Sequence, residues 1–364
     1  MSLRRSAVLL ALVLSFALPL SEAAGSAGAS GRDRADRPRA VLGLDARSAK
    51  PPAGMGSGRI AGSDGLLYDS APVVVPGLDN ELYLGLEFDY YCALGSEFDK
   101  GMRRLSKLAR TIQKSGRKVV FTVAPGKSAV VTGGIDSNAL PQGVCDSFGM
   151  ESQTEALDST DDPRYLPLRK ALASDPRQVY WKTDPHWTTV GGSIYAQALA
   201  NRLSPRIGRK QHYVAVQDTT VGQLNQLLEN FTPETAQGAN PANRVTVTTA
   251  PGSDAWESMP YVIFDHSWNS KPRKKTWPGH TLLIGDSFSL YALQNLRPIF
   301  RHGRFLWTGH VDPSTMVDAI VHANTVAIEV YQGGVFNSII GTPTFRHTVR
   351  AALRAAGHRV ARTD

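Results

Sequence analysis

The chain has 364 residues and carries a formal net charge of +8, with 42% hydrophobic residues. No internal repeat or heptad run occurs, which excludes a solenoid or a coiled coil. After the first 58 residues, about 300 remain, and a chain of that length fits one α/β domain with insertions better than two independent domains. Positive charge favours anionic partners such as acidic glycans or membrane headgroups.

The amino terminus predicts export. Two arginines precede an apolar run from Ala7 to Leu20 that is too short to span a bilayer, and small residues follow it. We therefore expect residues 1–23 to be a signal peptide, with an uncleaved amino-terminal anchor as the alternative. Residues 24–58 are rich in Gly, Ala, Arg and Pro, which is typical of a flexible linker. The expected location is secreted or extracytoplasmic, in a periplasm-like or cell-envelope compartment, where nucleic acid is not an expected partner.

Residues 59–364 show apolar runs that alternate with segments of helical periodicity, which predicts a parallel sheet with helices on both faces. The predicted strands are residues 119–124, 178–181, 281–284, 304–307 and 325–331, and the predicted helices are residues 98–114, 188–203 and 345–356. Two insertions are expected, at about 132–176 and 204–280. The second has β character, with short strand patterns at 244–248 and 261–264.

A Gly-Asp-Ser-Phe segment at residues 285–288 follows the apolar run 281–284. Leu290, Leu293, Leu296 and Phe300 then recur at helical spacing, with Pro298 near the end. This pattern places Ser287 in a turn where a strand leads into a helix, close to free backbone N–H groups. Such groups can stabilise the oxyanion of a tetrahedral intermediate, and the N–H of Ser287 is the first candidate donor.

An Asp-Pro-His-Trp segment at residues 184–187 supplies the base that a serine hydroxyl needs. Pro185 keeps Asp184 extended, and residues two apart in an extended chain face the same side. The carboxylate of Asp184 is therefore expected to orient His186, which would take and return the proton of Ser287. Competing histidines are His266, which lies within the second insertion, and His310.

The two motifs together resemble the alginate O-acetyltransferase type of SGNH-hydrolase-like proteins. The order is reversed relative to ordinary SGNH esterases, as it is in that family, and Asp184 and His186 are separated by one residue. The resemblance extends from about Gly62 to the carboxyl terminus and includes Pro125-Gly126-Lys127 after the first core strand. One departure is that Glu329 is followed by Val-Tyr-Gln, where family members often carry an arginine. The resemblance implies a three-layer, flavodoxin-like SGNH fold with permuted motif order.

The resemblance also implies a function. We expect a secreted O-acetyltransferase that moves an acetyl group through an acyl-Ser287 intermediate to hydroxyls of an exported or cell-surface polysaccharide. The implied partners are that polysaccharide and a membrane-bound acyl-transfer protein that supplies acetyl. The first alternative is a carbohydrate acetylesterase, in which water replaces the sugar. The second is a noncatalytic glycan-binding or assembly protein, which a complete triad disfavours.

Further site residues are expected where the core strands end. Lys127 follows the first strand, and Tyr331 and Gln332 follow the last, so all three are candidates for oxyanion or substrate binding. His310 and Trp187 are added as cleft-lining candidates.

Two cysteines occur, Cys92 and Cys145, and we expect them to form a disulfide because an exported chain permits pairing. Neither cysteine has a histidine nearby in the sequence, which disfavours a catalytic thiol. No cluster of residues has metal-ligand spacing, so neither a metal nor a cofactor is expected.

Overall fold

The computed structural model describes residues 59–61, 67–69, 74–88, 95–136, 147–249, 264–336 and 338–357. The expected signal peptide and linker, residues 1–58, lie outside these ranges, and so do both cysteines of the expected disulfide. No helix among the described residues is long and apolar enough to cross a membrane.

Twelve strands and ten helices with their bounds follow, and residues 85–88 are also helical. The strands are β1 (Arg59–Ala61), β2 (Leu67–Asp69), β3 (Val74–Pro76), β4 (Leu82–Leu84), β5 (Lys118–Ala124), β6 (Tyr213–Thr220), β7 (Glu234–Pro241), β8 (Thr246–Thr249), β9 (Asp265–Lys271), β10 (Trp277–Gly285), β11 (Phe300–Trp307) and β12 (Thr325–Tyr331). The helices are α1 (Gly95–Gln113), α2 (Ser147–Ser159), α3 (Arg169–Ala173), α4 (Thr189–Leu203), α5 (Pro205–Gly208), α6 (Gln223–Leu227), α7 (Ser287–Tyr291), α8 (Leu293–Leu296), α9 (Pro313–His322) and α10 (Pro343–Ala355).

The central sheet has six strands in the order β5-β12-β10-β11-β9-β8. The first four strands are mutually parallel, and β9 and β8 continue the sheet in antiparallel pairing. The parallel strands are apolar on both faces because helices cover both, as expected for a parallel sheet. Four of the five predicted strands are confirmed: residues 119–124, 281–284, 304–307 and 325–331 lie within β5, β10, β11 and β12.

Two buried clusters lie between the central sheet and the helices, one on each face of the sheet. On one face, Leu282 and Ile284 of β10 pack with Met102 of α1, Met316 of α9 and Val349 of α10. On the other face, Leu283 packs in a cluster with residues of α4, α7 and α8, among them Leu199, Leu290 and Leu293. The three-layer α/β architecture with helices on both faces of a mostly parallel sheet is therefore confirmed.

The second insertion, 204–280, is not a separate appendage. Its strands β8 and β9 extend the central sheet, and its hairpin β6-β7 packs against α4. The predicted strand pattern 244–248 corresponds to β8, whereas residues 261–263 lie outside the described residues. The expected β character is confirmed, with the correction that two of its strands belong to the main sheet.

Candidate functional site

Ser287 lies where β10 ends and α7 begins, at the carboxyl end of a central strand. Asp286 caps this short helix, and its Oδ1 accepts the N–H of Phe288 at 2.9 Å. The side chain of Ser287 is buried. Because no described residue accepts a hydrogen bond from the N–H of Ser287, that donor remains available at the turn.

The single helix predicted after Ser287 is wrong. Instead of one helix, the chain forms α7 and α8, then a 3-10 turn at Arg297–Ile299 that contains Pro298. Phe300, expected on the helix, is the first residue of β11 and is fully buried. Proline lacks the N–H that a continuing helix needs, which accounts for the early end.

The predicted strand at residues 178–181 is wrong. This segment makes only an isolated bridge between Tyr180 and Trp187, so Asp184 and His186 lie in a compact turn rather than at the end of a sheet strand. Val179 and Trp181 are apolar because they are buried, not because they pair within the sheet. Thr188 caps the following helix α4, its hydroxyl accepting the N–H of Val190 at 3.2 Å.

The two segments meet as the motifs predict. Nε2 of His186 lies 2.7 Å from Oγ of Ser287, and Nδ1 of His186 lies 2.8 Å from Oδ1 of Asp184. Oδ1 of Asp184 also accepts the N–H of His186 at 2.9 Å, which fixes the carboxylate and imidazole in one arrangement. Asp184, His186 and Ser287 are all buried. This is the relay geometry of a serine nucleophile, base and orienting acid.

Asp184 is held as a carboxylate by its surroundings. Burial opposes its charge, but the His186 side chain and the backbone N–H groups of Gln223 and His186 outweigh burial and keep the pKa of Asp184 below its ordinary value. The N–H of Gln223, at the start of α6, donates to Oδ2 of Asp184 at 2.8 Å. An ionised Asp184 is the state that fixes the Nδ1–H tautomer of His186.

Two aromatic rings enclose the imidazole of His186. Tyr291 is stacked on it with ring centroids 4.2 Å apart and an 8° angle between planes, and Phe288 lies at 4.9 Å and 54°. Nε2 of Gln223 donates to the hydroxyl of Tyr291 at 3.2 Å. Sequence reasoning missed Tyr291 and Gln223; the spacing of Tyr291, one helical turn after Ser287, was the available signal for the former.

Two candidate binding residues make buried contacts within the protein. Lys127 is completely buried; its Nζ lies 2.7 Å from Oε2 of Glu81 and donates to the carbonyls of Leu82 and Lys182. The ring of Trp187 is also fully buried, and its Nε1 donates to the carbonyl of Phe288 at 3.0 Å. A substrate role for either residue stays a prediction.

The remaining candidates lie at the expected edge of the sheet. The N–H of Tyr331 donates to Oδ2 of Asp286 at 2.6 Å, and its ring stacks on Phe288 with centroids 5.2 Å apart. Gln332 is buried after β12, and its Oε1 accepts the N–H of Gly126, which follows β5, at 3.0 Å. His310 follows β11 and stacks on Phe264 at 4.4 Å. A substrate role for these three residues stays a prediction.

The competing base His266 is placed away from the serine. It lies on β9, is buried, and its Nε2 is 3.5 Å from Nη1 of Arg297.

A buried acid pair beneath the serine turn was also missed. Oε2 of Glu329, on β12, accepts the N–H groups of Asp286 and Ser289, each at 3.2 Å. Burial raises the pKa of Asp286 to about 6, although backbone N–H groups lower it, and burial together with the charge of Asp286 raises the pKa of Glu329 well above its ordinary value. A lone glutamate in an apolar strand was the sequence signal.

Among the described residues, no group of three or more His, Cys, Asp or Glu is arranged to hold a metal.

A mostly parallel sheet between helical layers, with a Gly-Asp-Ser turn at the carboxyl end of a central strand, defines an SGNH-hydrolase-like protein. A family model for the SGNH hydrolase-like domain of the acetyltransferase AlgX matches residues 74–298, which is more than half of the chain. The protein belongs to this AlgX family of SGNH-hydrolase-like domains.

Individual relatives are distant. The probable alginate O-acetylase AlgJ of Pseudomonas putida KT2440 is 26% identical over 142 residues, covering 38% of this chain and 36% of the relative. The probable alginate O-acetylase AlgJ of Pseudomonas syringae pv. tomato DC3000 is 25% identical over 202 residues, covering 52% of this chain and 51% of the relative. The chain thus spans about half, or less, of the curated relatives that it matches.

Among solved structures, PatB1 of Bacillus cereus superposes with a TM-score of 0.52 at 15% identity, over 74% of this chain and 98% of PatB1. At that identity the similarity establishes the fold and carries nothing about the reaction. The expected SGNH-like fold agrees with both the family match and this superposition.

Proposed function

We propose that the protein is an O-acetyltransferase in which Ser287 carries the acetyl group between a donor and a sugar hydroxyl. The observation that carries the proposal is the continuous relay from Asp184 through His186 to Ser287, with contacts of 2.8 and 2.7 Å. Membership of the AlgX family supports acetyl as the transferred group. The arrangement of these three residues by itself indicates only acyl transfer through a serine ester, and it does not distinguish a transferase from an esterase.

In the first half-reaction, Oγ of Ser287 attacks the carbonyl carbon of the acetyl donor as Nε2 of His186 takes the hydroxyl proton. The oxyanion that forms on the carbonyl oxygen is positioned to accept the N–H of Ser287. Collapse of the tetrahedral intermediate breaks the bond to the donor's oxygen, which leaves with the proton returned by His186. Asp184 stabilises the imidazolium between these two proton transfers and does not itself take a proton.

In the second half-reaction, a hydroxyl of the acceptor replaces the departed donor. His186 removes its proton, the oxygen attacks the acetyl-Ser287 ester, and the collapsing intermediate returns Ser287 as a hydroxyl with the same proton. We propose an exported or cell-surface polysaccharide as acceptor, since the matched curated relatives are probable alginate O-acetylases. The net charge of +8 suits an acidic polymer of that kind.

The compartment and the donor are further parts of the proposal. The amino-terminal pattern supports export, and acetyl-CoA of the cytosol does not reach an exported enzyme. We therefore propose an extracytoplasmic location, and a membrane-bound acyl-transfer partner that delivers acetyl to Ser287.

The direct test is to trap the acetyl group. The purified chain and Ser287→Ala are incubated with a chromogenic acetyl ester, with and without uronic-acid oligosaccharides, and both protein and sugar are weighed by mass spectrometry. We expect one acetyl group on a peptide containing Ser287, and acetylated oligosaccharide that is absent with Ser287→Ala. Acetate release without sugar acetylation across a panel of acidic and neutral oligosaccharides would show an esterase, and activity that persists in Ser287→Ala would refute the nucleophile.

A further inference from the structure

The turn that carries Ser287 rests on two carboxyl groups that the proposed reaction does not use. Glu329 is 0% exposed and Asp286 is 4% exposed. Glu329 accepts the N–H groups of Asp286 and Ser289, on either side of Ser287, while Asp286 accepts those of Phe288 and Tyr331. The pair therefore fixes the backbone before and after the nucleophile.

Space around the pair is minimal. A Cβ added at Gly285 would lie 2.8 Å from Oε2 of Glu329 and 2.4 Å from Oγ of Ser289. Gly285 therefore packs directly against the carboxyl group of Glu329, whose Oε2 also accepts the N–H of Asp286 at 3.2 Å. The two acids lie in one buried space beside the Ser287 turn.

Two negative charges cannot share that space without a cation. The titratable groups that face the pair are His186, which acts on Asp286, and the phenol of Tyr195, which is neutral near pH 7. Lys127 is not available, since its ammonium is paired with Glu81. One of the two acids therefore holds a proton, as like-charged carboxyl pairs do in low-dielectric sites.

The hydrogen bonds indicate which acid holds it. Each carboxylate oxygen of Asp286 accepts a backbone N–H, at 2.9 Å and 2.6 Å, and these bonds favour the charged form. Oε1 of Glu329 has no hydrogen-bond partner among the described residues. The hydroxyl of Ser289 lowers the pKa of Glu329, but burial and the charge of Asp286 outweigh it. The interaction between the two carboxyl groups acts to raise the pKa of Glu329 and to lower that of Asp286, as expected when the proton is on Glu329.

We propose that Glu329 is a positioning residue that works as a neutral carboxylic acid, holding the Ser287 turn with one oxygen and donating its proton towards Asp286 with the other. This inference rests on the proposed function of Ser287 and deepens it. The proton is retained through both half-reactions, so the group transfer remains balanced on Ser287 and His186 alone.

The buried acid makes both stability and activity depend on pH. Folding raises the pKa of Glu329 above its unfolded value of about 4.3. The folded state therefore binds more protons than the unfolded state, and stability falls as pH rises from about 4.3 towards the folded pKa. Once Glu329 ionises, repulsion from Asp286 displaces the Ser287 turn, and activity falls on the alkaline side.

The test compares Glu329→Gln with Glu329→Ala in the full chain. Glutamine keeps an acceptor for both N–H groups and an N–H donor towards Asp286, so it reproduces the neutral acid. We expect kcat/KM of Glu329→Gln within about threefold of wild type, and a loss of about tenfold to a hundredfold in Glu329→Ala, where buried donors lose their acceptor. Glu97→Gln, on the exposed side of α1, is the matched control for the change of charge.

Two readouts need no turnover. We expect an infrared band of a protonated buried carboxyl at neutral pH that is present in wild type and Ser287→Ala and absent in Glu329→Gln. The melting temperature of wild type is expected to fall with rising pH, whereas that of Glu329→Gln stays flatter. These readouts separate failure of this inference from failure of the proposed function. Absence of the band, or a Glu329→Gln variant that is unfolded or as inactive as Glu329→Ala, would overturn the inference.

Discussion

The orientation of His186 depends on which atom of residue 184 faces its Nδ1. Oδ1 of Asp184 lies 2.8 Å from that nitrogen, and Oδ2 is occupied by the N–H of Gln223. In Asp184→Asn, an amide placed towards Nδ1 would select the wrong tautomer of the imidazole. We expect kcat to fall about 10³- to 10⁴-fold with the fold retained, measured by hydrolysis of a chromogenic acetyl ester beside circular dichroism.

The control for this change is Asp175→Asn, at an exposed ion pair with Arg177, which should leave kcat unchanged. An Asp184→Asn variant that keeps most of its activity would mean that another group orients His186.

The stacked ring of Tyr291 provides a second prediction at this scale. A ring 4.2 Å from the imidazole favours the imidazolium that forms during each proton transfer. Tyr291→Phe keeps the ring and loses the hydroxyl with its contact to Gln223, so we expect activity within about threefold of wild type. Tyr291→Leu removes the ring, and we expect kcat to fall about 3- to 30-fold with a shift in the pH–rate profile.

Equal losses in Tyr291→Phe and Tyr291→Leu would assign the effect to the hydroxyl and its contact with Gln223, contrary to the stacking argument.

Single residues were predictable from sequence to very different degrees. The contacts among Asp184, His186 and Ser287 were predictable because two short motifs carry these residues in the chain itself. The burial of Lys127 and Trp187 was not predictable, because a residue's position at a strand end or turn does not say how deeply its side chain is buried. The pairing of Glu329 with Asp286 depends on which strands are neighbours, and no local pattern encodes that.

At the scale of elements, the junction of β10 and α7 depends on close packing at Gly285. A methyl group there would contact Oγ of Ser289 and Oε2 of Glu329 well inside normal van der Waals distances. We expect Gly285→Ala to lower the free energy of unfolding by about 1–3 kcal/mol and to reduce activity further by displacing Ser287. Urea denaturation and ester hydrolysis would measure the two effects.

The matched control is Gly133→Ala, because a Cβ at Gly133 would meet no heavy atom within 4 Å. Equal stability of Gly285→Ala and Gly133→Ala would contradict the close packing at the junction.

Elements of the parallel sheet were predictable because strands buried on both faces are continuous apolar runs. Strand β9, with the sequence Asp-His-Ser-Trp-Asn-Ser-Lys, lacks such a run and was missed. Its buried positions alternate with exposed ones, as expected for antiparallel pairing near a sheet edge. The opposite error was made at residues 178–181, which were predicted as a strand. Val179, Tyr180 and Trp181 are buried, but the segment does not pair within a sheet.

At the scale of the whole molecule, the turn that carries Asp184 is held by segments distant in the chain. Lys127, after β5, donates to the carbonyl of Lys182 at 2.6 Å. On the carboxyl-terminal side of the turn in sequence, the N–H of Leu224 donates to the carbonyl of Thr183 at 3.1 Å. Of the three residues, Ser287 alone follows a strand of the central sheet, whereas Asp184 and His186 lie in a turn outside it. The position of His186 relative to Ser287 therefore depends on how this turn packs against the segments that contain Lys127 and Leu224.

Glu234, the first residue of β7, is the residue of the second insertion that contacts this turn most extensively. Its Oε1 accepts the N–H of Lys182 at 2.8 Å, and its Oε2 accepts the N–H and hydroxyl of Thr183 at 2.9 and 2.7 Å. Glu234→Ala leaves these partly buried donors without an acceptor, so we expect kcat/KM to fall about tenfold through displacement of Asp184 and His186. The exposed Glu155→Ala variant on α2 should keep full activity. If ester hydrolysis by Glu234→Ala matched that of Glu155→Ala, Glu234 would have no part in positioning the base, and the N–H groups of Gln223 and Leu224 would remain as contacts of the second insertion with this turn.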